Sequence, residues 1–234
     1  MYWNNFWFWF GLLSFGFRKF AVKIYAFGGL GNEEELFSKL DFGSHDLCFM
    51  PFEISNRSMT LNDFLESVLR RIDISKPFIL LGFSFGGIIA KALAEKYKPE
   101  RLILISTFLT RPELPRAARI AALKRPYLWL PKSMYSSANI FTRLVFSFLP
   151  KKTNKLVLKI MENVGPDLSK WAFKVILQWK GNSVNEFVRI HGERDRIIPS
   201  KKLKSVDYYS KGGHFMVHTC PEEMNAFLKT VLVF

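Results

Sequence analysis

Six residues, Gly82-Phe83-Ser84-Phe85-Gly86-Gly87, constrain this chain more than any other stretch. They form a G-x-S-x-G pattern, and their flanks fix its setting. Residues 78–81 read FILL, an apolar strand bounded by Pro77 and Gly82. Residues 86–97 read GGIIAKALAEKY, a helical run that stops before Pro99. Strand, turn and helix in that order are what a nucleophile-bearing turn needs. Ser84 would then sit in a strained backbone state that lifts its hydroxyl clear of the sheet. A Cβ two residues to either side would crowd such a turn, which explains glycine at 82 and 86. A phosphate-cradling glycine turn is the competing reading. It is disfavoured because no Lys follows at the required spacing and no G-x-G-x-x-G is present.

The same alternation of short apolar runs and longer helical patterns extends along the chain, and it predicts a mostly parallel sheet flanked by helices. Strands are expected at 21–27 (AVKIYAF), 47–50 (LCFM), 78–81, 102–106 (LILIS), 187–191 (FVRIH) and 206–209, six in all. Helices are expected at 33–40, at 61–72 with an apolar stripe at helical spacing, at 86–97 and at 221–233 with Pro221 in the first turn. About eighty residues separate LILIS from FVRIH without a strand-like run. Helical patterns at 141–149, 156–161 and 168–179 fill part of that gap, so helices are inserted between two consecutive strands of one sheet.

A serine on such a turn needs a base and an acid, which follow it along the chain as Asp or Glu and then His. Residues 191–199 read HGERDRIIP, just past a strand, which puts Asp195 in a loop at the strand's C-terminal end, where ligands gather on a parallel sheet. Glu193 is the rival acid, closer to the strand and expected to turn away. Glu113, the first acid after LILIS, is a poor alternative placement. Gly212-Gly213-His214-Phe215 follows the last expected strand, and its paired glycines allow the backbone to bend close to the site. His214 is therefore the expected base and His218 its rival. His191 is read as a core residue of its strand and His45 as an exposed turn residue. An oxyanion hole requires two preset N–H donors. One is expected from Phe85. The other is expected from the loop Phe27-Gly28-Gly29-Leu30-Gly31, with Gly29 first and Leu30 second.

Composition limits the partners. Thirty-four Lys and Arg against 20 Asp and Glu give a formal net charge of +14, a field that favours anionic partners. Cys48 and Cys220 stand apart and the four histidines are scattered, so no metal site is expected. Isolated cysteines fit a reducing, cytoplasmic setting. Residues 6–17 read FWFWFGLLSFGF, with Arg18 and Lys19 behind them. This run is shorter than the ~20 residues of a spanning helix. Three readings stay open: an extension outside the fold arising from a misassigned start, an interfacial anchor that associates the protein with an anionic membrane surface, or an altered secretory signal.

The pieces FGGLG, GFSFGG, HGERDRIIP and GGHF together resemble the α/β-hydrolase superfamily, most closely its small bacterial esterases and thioesterases. The resemblance implies a core at 20–110 and 182–234, a helical cap at 111–181, and an apolar extension at 1–19. It implies Ser84, Asp195 and His214 as catalytic residues, with Gly29 and Phe85 at the oxyanion hole. It further implies a small-molecule acyl substrate, with no cofactor, no metal and no nucleic-acid partner. Three features depart from the family pattern. Phe27 stands where a His usually begins the first loop, only nineteen positions separate Asp195 from His214, and two strands that often precede the first loop are missing. Trp129, Phe141, Phe146, Phe148, Trp171 and Trp179 of the cap read either as a pocket for an apolar acyl chain or as ordinary helix packing. A slow-turnover small-molecule receptor and a membrane-surface protein are the functional alternatives.

Overall fold

The apolar runs pair as six parallel strands in the computed structural model, which describes residues 21–31, 34–56, 58–135, 151–162 and 164–233. The strands are β1 (Lys23–Phe27), β2 (Asp46–Phe49), β3 (Phe78–Phe83), β4 (Arg101–Ile105), β5 (Val188–Gly192) and β6 (Tyr208–Ser210), arranged β2-β1-β3-β4-β5-β6. The chain crosses from β1 to β2 on one side and returns to β3 on the other. The carboxyl ends of β1 and β3 thus lie side by side where the strand order reverses, the place where open parallel sheets bind ligands.

Alternation along each strand divides the core into two layers. Tyr25, Phe27, Leu80, Leu102 and Leu104 face α1 (Leu61–Leu69) and α2 (Phe85–Lys96). Ile24, Ala26, Ile79, Leu81, Ile103 and Ile105 face the opposite layer. Between β4 and β5 the chain forms α3 (Arg116–Lys124), α4 (Lys151–Glu162) and α5 (Pro166–Gln178). After β6 come α6 (Met216–Thr219) and α7 (Pro221–Val231), which close the second layer through Met216, Met224 and Leu228. Both faces of the central strands are covered, which is why FILL and LILIS read as unbroken apolar runs.

Local chemistry sets several boundaries. Thr60 caps α1 reciprocally with Asp63: the Asp63 amide donates to the Thr60 hydroxyl at 3.1 Å and the Thr60 amide donates to the Asp63 carboxylate at 2.9 Å. The helix ends at Leu69, and the expected continuation to Ile72 is a turn. The expected helix at 33–40 is a single 3-10 turn, Glu34–Phe37. Ser38 gives its hydroxyl to the Glu35 carbonyl at 2.7 Å, which competes with helix propagation. His45 is half-buried rather than exposed: the Val22 amide donates to its Nδ1 at 3.2 Å, and its Nε2 lies 3.0 Å from the Leu232 carbonyl. The helical pattern at 141–149 and the aromatic run at 6–17 lie outside the described residues. No described helix is long and apolar enough to cross a membrane.

Candidate active site

Ser84 leaves β3 and enters α2 with φ 53° and ψ −115°, a backbone state that a non-glycine residue adopts only under constraint. The constraint comes from both sides. The Ser84 amide donates to the Ile105 carbonyl of β4 at 2.8 Å, and the Gly87 amide donates to the Ser84 carbonyl at 3.0 Å. A Cβ on Gly86 would collide with the carbonyl oxygens of Phe27 and Gly28, and one on Gly82 would lie 2.5 Å from the Gly87 Cα. These close approaches press the end of β1 against the start of α2.

His214 and Asp195 converge on this turn from the two connections that follow β5 and β6. His214 Nε2 lies 2.9 Å from Ser84 Oγ, and His214 Nδ1 lies 2.8 Å from Asp195 Oδ2. A carboxylate only accepts, so Nδ1 carries the hydrogen and Nε2 is left to accept from the serine hydroxyl. The imidazole is buried, held between Phe83, with ring centroids 5.4 Å apart, and Phe215 at 5.2 Å. Ser84 stays partly accessible.

Asp195 is buried and fully engaged. Its Oδ1 accepts from the amides of Ile197 and Ile198, each at 2.8 Å, which orients Oδ2 toward His214. Burial by itself would raise this carboxyl. The favourable electrostatic interaction with His214 and the hydrogen bonds from His191 and His214 outweigh it and hold the group well below the usual carboxylate range.

His191 is a buried strand residue, as its position suggests, but it also belongs to this cluster. Its Nε2 lies 2.9 Å from the Ile198 carbonyl and 3.1 Å from Asp195 Oδ2. Both neighbours are acceptors, so Nε2 carries the hydrogen. Its Nδ1 has no hydrogen-bond partner among the described residues. The sequence signal was present: four positions separate His191 from Asp195 across the turn that follows Gly192.

The rivals fall elsewhere. Glu193 is exposed. His218 pairs with Lys39, whose ammonium lies 3.4 Å from its Nε2. Burial and that ammonium push the His218 imidazole down. Glu113 is committed to Arg189 in the core. Gly29 lies against the turn, where a Cβ would stand 3.1 Å from the Phe83 ring and 3.6 Å from Ser84 Cβ. Phe85 is the first residue of α2, where leading N–H groups have no intrahelical carbonyl. Trp171 and Trp179 are packing residues: their indoles donate to the carbonyls of Met59 at 2.9 Å and Leu109 at 3.1 Å. Trp171 also packs edge-on against Phe85, with centroids 5.8 Å apart, so α5 rests on the residue next to Ser84. Phe141, Phe146 and Phe148 lie outside the described residues. Among the described residues, no group of His, Cys, Asp and Glu side chains could hold a metal ion.

A parallel sheet bearing a serine on a strained strand-to-helix turn, with a histidine at its hydroxyl, defines the class. The chain belongs to the alpha/beta hydrolase family, whose sequence model matches residues 3–227. No curated protein sequence matches it significantly. Solved structures share its fold at low identity. A carboxylesterase of the thaumarchaeon Nitrososphaera gargenis superposes with a TM-score of 0.69 at 14% identity, over 92% of this chain and 90% of that one. An epoxide hydrolase of Bacillus megaterium gives 0.66 at 14%, over 91% and 94%. The thioesterase domain of the curacin biosynthetic pathway gives 0.57 at 12%, over 90% and 92%.

Proposed function

We propose that the protein hydrolyses a carboxylic ester or thioester through an acyl-enzyme formed on Ser84. One observation carries the reading: the unbroken contact series from Ser84 Oγ through His214 to Asp195, at 2.9 and 2.8 Å. His214 Nε2 takes the hydroxyl proton as Ser84 Oγ attacks the acyl carbon. Asp195 holds the imidazole in the Nδ1–H tautomer and stabilises the imidazolium. The carbonyl π electrons move to oxygen, and the amides of Gly29 and Phe85 receive the oxyanion; each such donor is worth about 10²–10³ in rate. The tetrahedral centre collapses, the bond to the leaving alcohol or thiol breaks, and His214 returns the proton to it. Water then attacks the acyl-enzyme with His214 as base and releases the acid and free Ser84.

The mixture of esterase and thioesterase folds among the structural neighbours supports the breadth of this class. The test is turnover of p-nitrophenyl esters and acyl thioesters of graded chain length by the full chain. Wild type is expected to turn over at least one series, and Ser84→Ala to fall to background while keeping its melting transition. Tight binding of these compounds with no turnover would replace the hydrolase reading with a receptor. Activity undiminished in Ser84→Ala would remove Ser84 from the role.

A further inference from the structure

The insertion between β4 and β5 carries an outward face of unusual chemistry. Ile120 is 54% exposed, Leu123 76%, Leu128 67% and Trp129 65%. Of nine large hydrophobic side chains that are exposed among the described residues, six lie on this insertion, with Met134 and Phe173 completing the set. Exposed apolar residues are ordinary when scattered, and these are grouped. Ile120 and Leu123 are one turn apart on α3, on the side opposite Ala118 and Ala122, which pack inward. The helix thus turns its largest apolar side chains toward solvent, while Ala118, Ala121 and Ala122 face the protein. Trp129 follows directly, its indole N–H 3.3 Å from the Lys124 carbonyl at the C-terminal end of α3.

The exposed charges of α3 and of the segment that follows it to Tyr135 have one sign. Arg116, Lys124 and Arg125 are exposed beside it. No Asp or Glu occurs from Leu114 to Tyr135. The nearest acid in sequence, Glu113, is buried and already neutralised by Arg189. The neighbouring α5 adds Lys170 and Lys174 and one acid, Asp167, in its first turn.

We infer that this face, centred on Leu123 and Trp129, docks onto an anionic phospholipid surface without spanning it. Apolar side chains enter the acyl boundary, the indole suits the interfacial zone, and arginine and lysine reach the headgroups on flexible stems. A second copy of the chain is a poor occupant, because it would bring the same uncompensated positive charge to the contact at a net charge of +14. The N-terminal aromatic stretch is a poor occupant too, since residues 1–31 contain no acid to match the basic rim. An anionic lipid surface satisfies both the apolar and the charged components. Docking here would bring the lipid surface to the insertion whose Trp171 rests on Phe85, the residue next to Ser84.

The test is co-sedimentation of the full chain with phosphatidylcholine vesicles with and without about 30 mol% phosphatidylglycerol, chosen to supply a negative surface potential. Binding measures no turnover, so this result and the hydrolase reading fail separately. Wild type is expected to bind the anionic vesicles and to lose that binding at high salt. Leu123→Ser/Trp129→Ser and Arg116→Glu/Arg125→Glu are each expected to lower the partition coefficient at least about tenfold with unchanged melting transitions, since all four side chains are exposed. Trp7→Ser/Trp9→Ser is expected to leave binding within about twofold. The proposal is overturned by wild type that ignores anionic vesicles, or by both insertion variants binding normally. It is equally overturned if the Trp7→Ser/Trp9→Ser chain alone loses binding, or if lipid-free wild type dimerises through this face and Leu123→Ser/Trp129→Ser makes it monomeric.

Discussion

Arg189 and Glu113 form a two-point ion pair in the core, with guanidinium Nη1 donating to one carboxylate oxygen at 3.0 Å and Nη2 to the other at 2.7 Å. The pair joins β5 to the beginning of the insertion. Both groups have further partners: Arg189 donates to the carbonyls of Thr107 at 2.6 Å and Lys204 at 2.7 Å, and Glu113 accepts the Leu109 amide at 2.6 Å. Glu113→Gln leaves a buried guanidinium without its counter-charge, a change that costs about 3–5 kcal/mol. Urea denaturation is expected to show a loss of that size. Glu113→Gln/Arg189→Met is expected to recover a substantial part of it. If the double variant is as unstable as the single one, the uncompensated charge is not the cause.

The same pair predicts the acid limb of stability. Burial would raise the Glu113 carboxyl, but the Arg189 hydrogen bonds, the Leu109 amide and the Arg189 charge together hold it below its ordinary value. A carboxyl depressed on folding contributes fully above the pKa it has when unfolded. That contribution is lost as pH falls through the lower, folded pKa. Stability is therefore expected to decline from the ordinary carboxylate range downward, and the decline to be shallower in Glu113→Gln. Equal pH slopes in the two proteins would remove Glu113 from the acid response.

Gly86 gives a steric prediction. A methyl group there meets the backbone oxygens of Phe27 and Gly28, which have no rotamer to yield. Gly86→Ala is expected to cost about 3 kcal/mol or more, the upper range of overpacking. Gly165→Ala, at the N-cap of α5 with φ −62° and nothing within 4 Å of the added carbon, is expected to cost under about 1 kcal/mol. Thermal melts of the two variants check the contrast. Similar melting temperatures would mean that the turn relaxes.

The legible parts of the chain were those in which local geometry restricts the residue type. Gly82 and Gly86 announce their turn because a Cβ at either position would collide with backbone, and Ser84 stands at the strained residue between them. FILL and LILIS announce central strands because both faces are buried. α3 was not predicted, since its apolar residues point outward and its inward face is alanine. Pairings across long separations were invisible as well. Lys91 looks like an ordinary polar position of α2, yet its ammonium lies 2.5 Å from Asn182 Oδ1 and 2.7 Å from the Val184 carbonyl. Arg189 interrupts an apolar strand, and nothing in its neighbourhood names Glu113, 76 positions away, as the reason.

Asp195→Asn isolates the orienting role proposed for this carboxylate. The amides of Ile197 and Ile198 can still hold the side chain, so its position should survive. If the amide nitrogen then faces His214, it donates where the carboxylate accepted, and the imidazole is driven toward the tautomer that cannot accept the Ser84 proton. On the hydrolase reading kcat is expected to fall about 10⁴-fold with little change in melting temperature. A loss below tenfold would show that Asp195 neither sets the tautomer nor stabilises the imidazolium.

His191 is expected to act one step further back, as a positioning residue. Its Nε2–H reaches the same Oδ2 that receives His214, at 3.1 Å, while also contacting the Ile198 carbonyl at 2.9 Å. It stabilises the ionised form of Asp195, because its hydrogen bond helps to hold that carboxyl low. In His191→Phe the ring fills the space but the donor is gone, so the Asp195 carboxyl should rise and the carboxylate should turn more freely. On the hydrolase reading, kcat is expected to fall about tenfold, equivalent to ~1.4 kcal/mol in the barrier, with KM nearly unchanged. A purely structural role would lower the melting temperature and gain nothing from a replacement that restores only the donor. His191→Gln can restore an N–H near Oδ2 and is expected to recover part of the kcat loss. A His191→Phe enzyme with wild-type kcat would show that Ile197, Ile198 and His214 hold Asp195 without help.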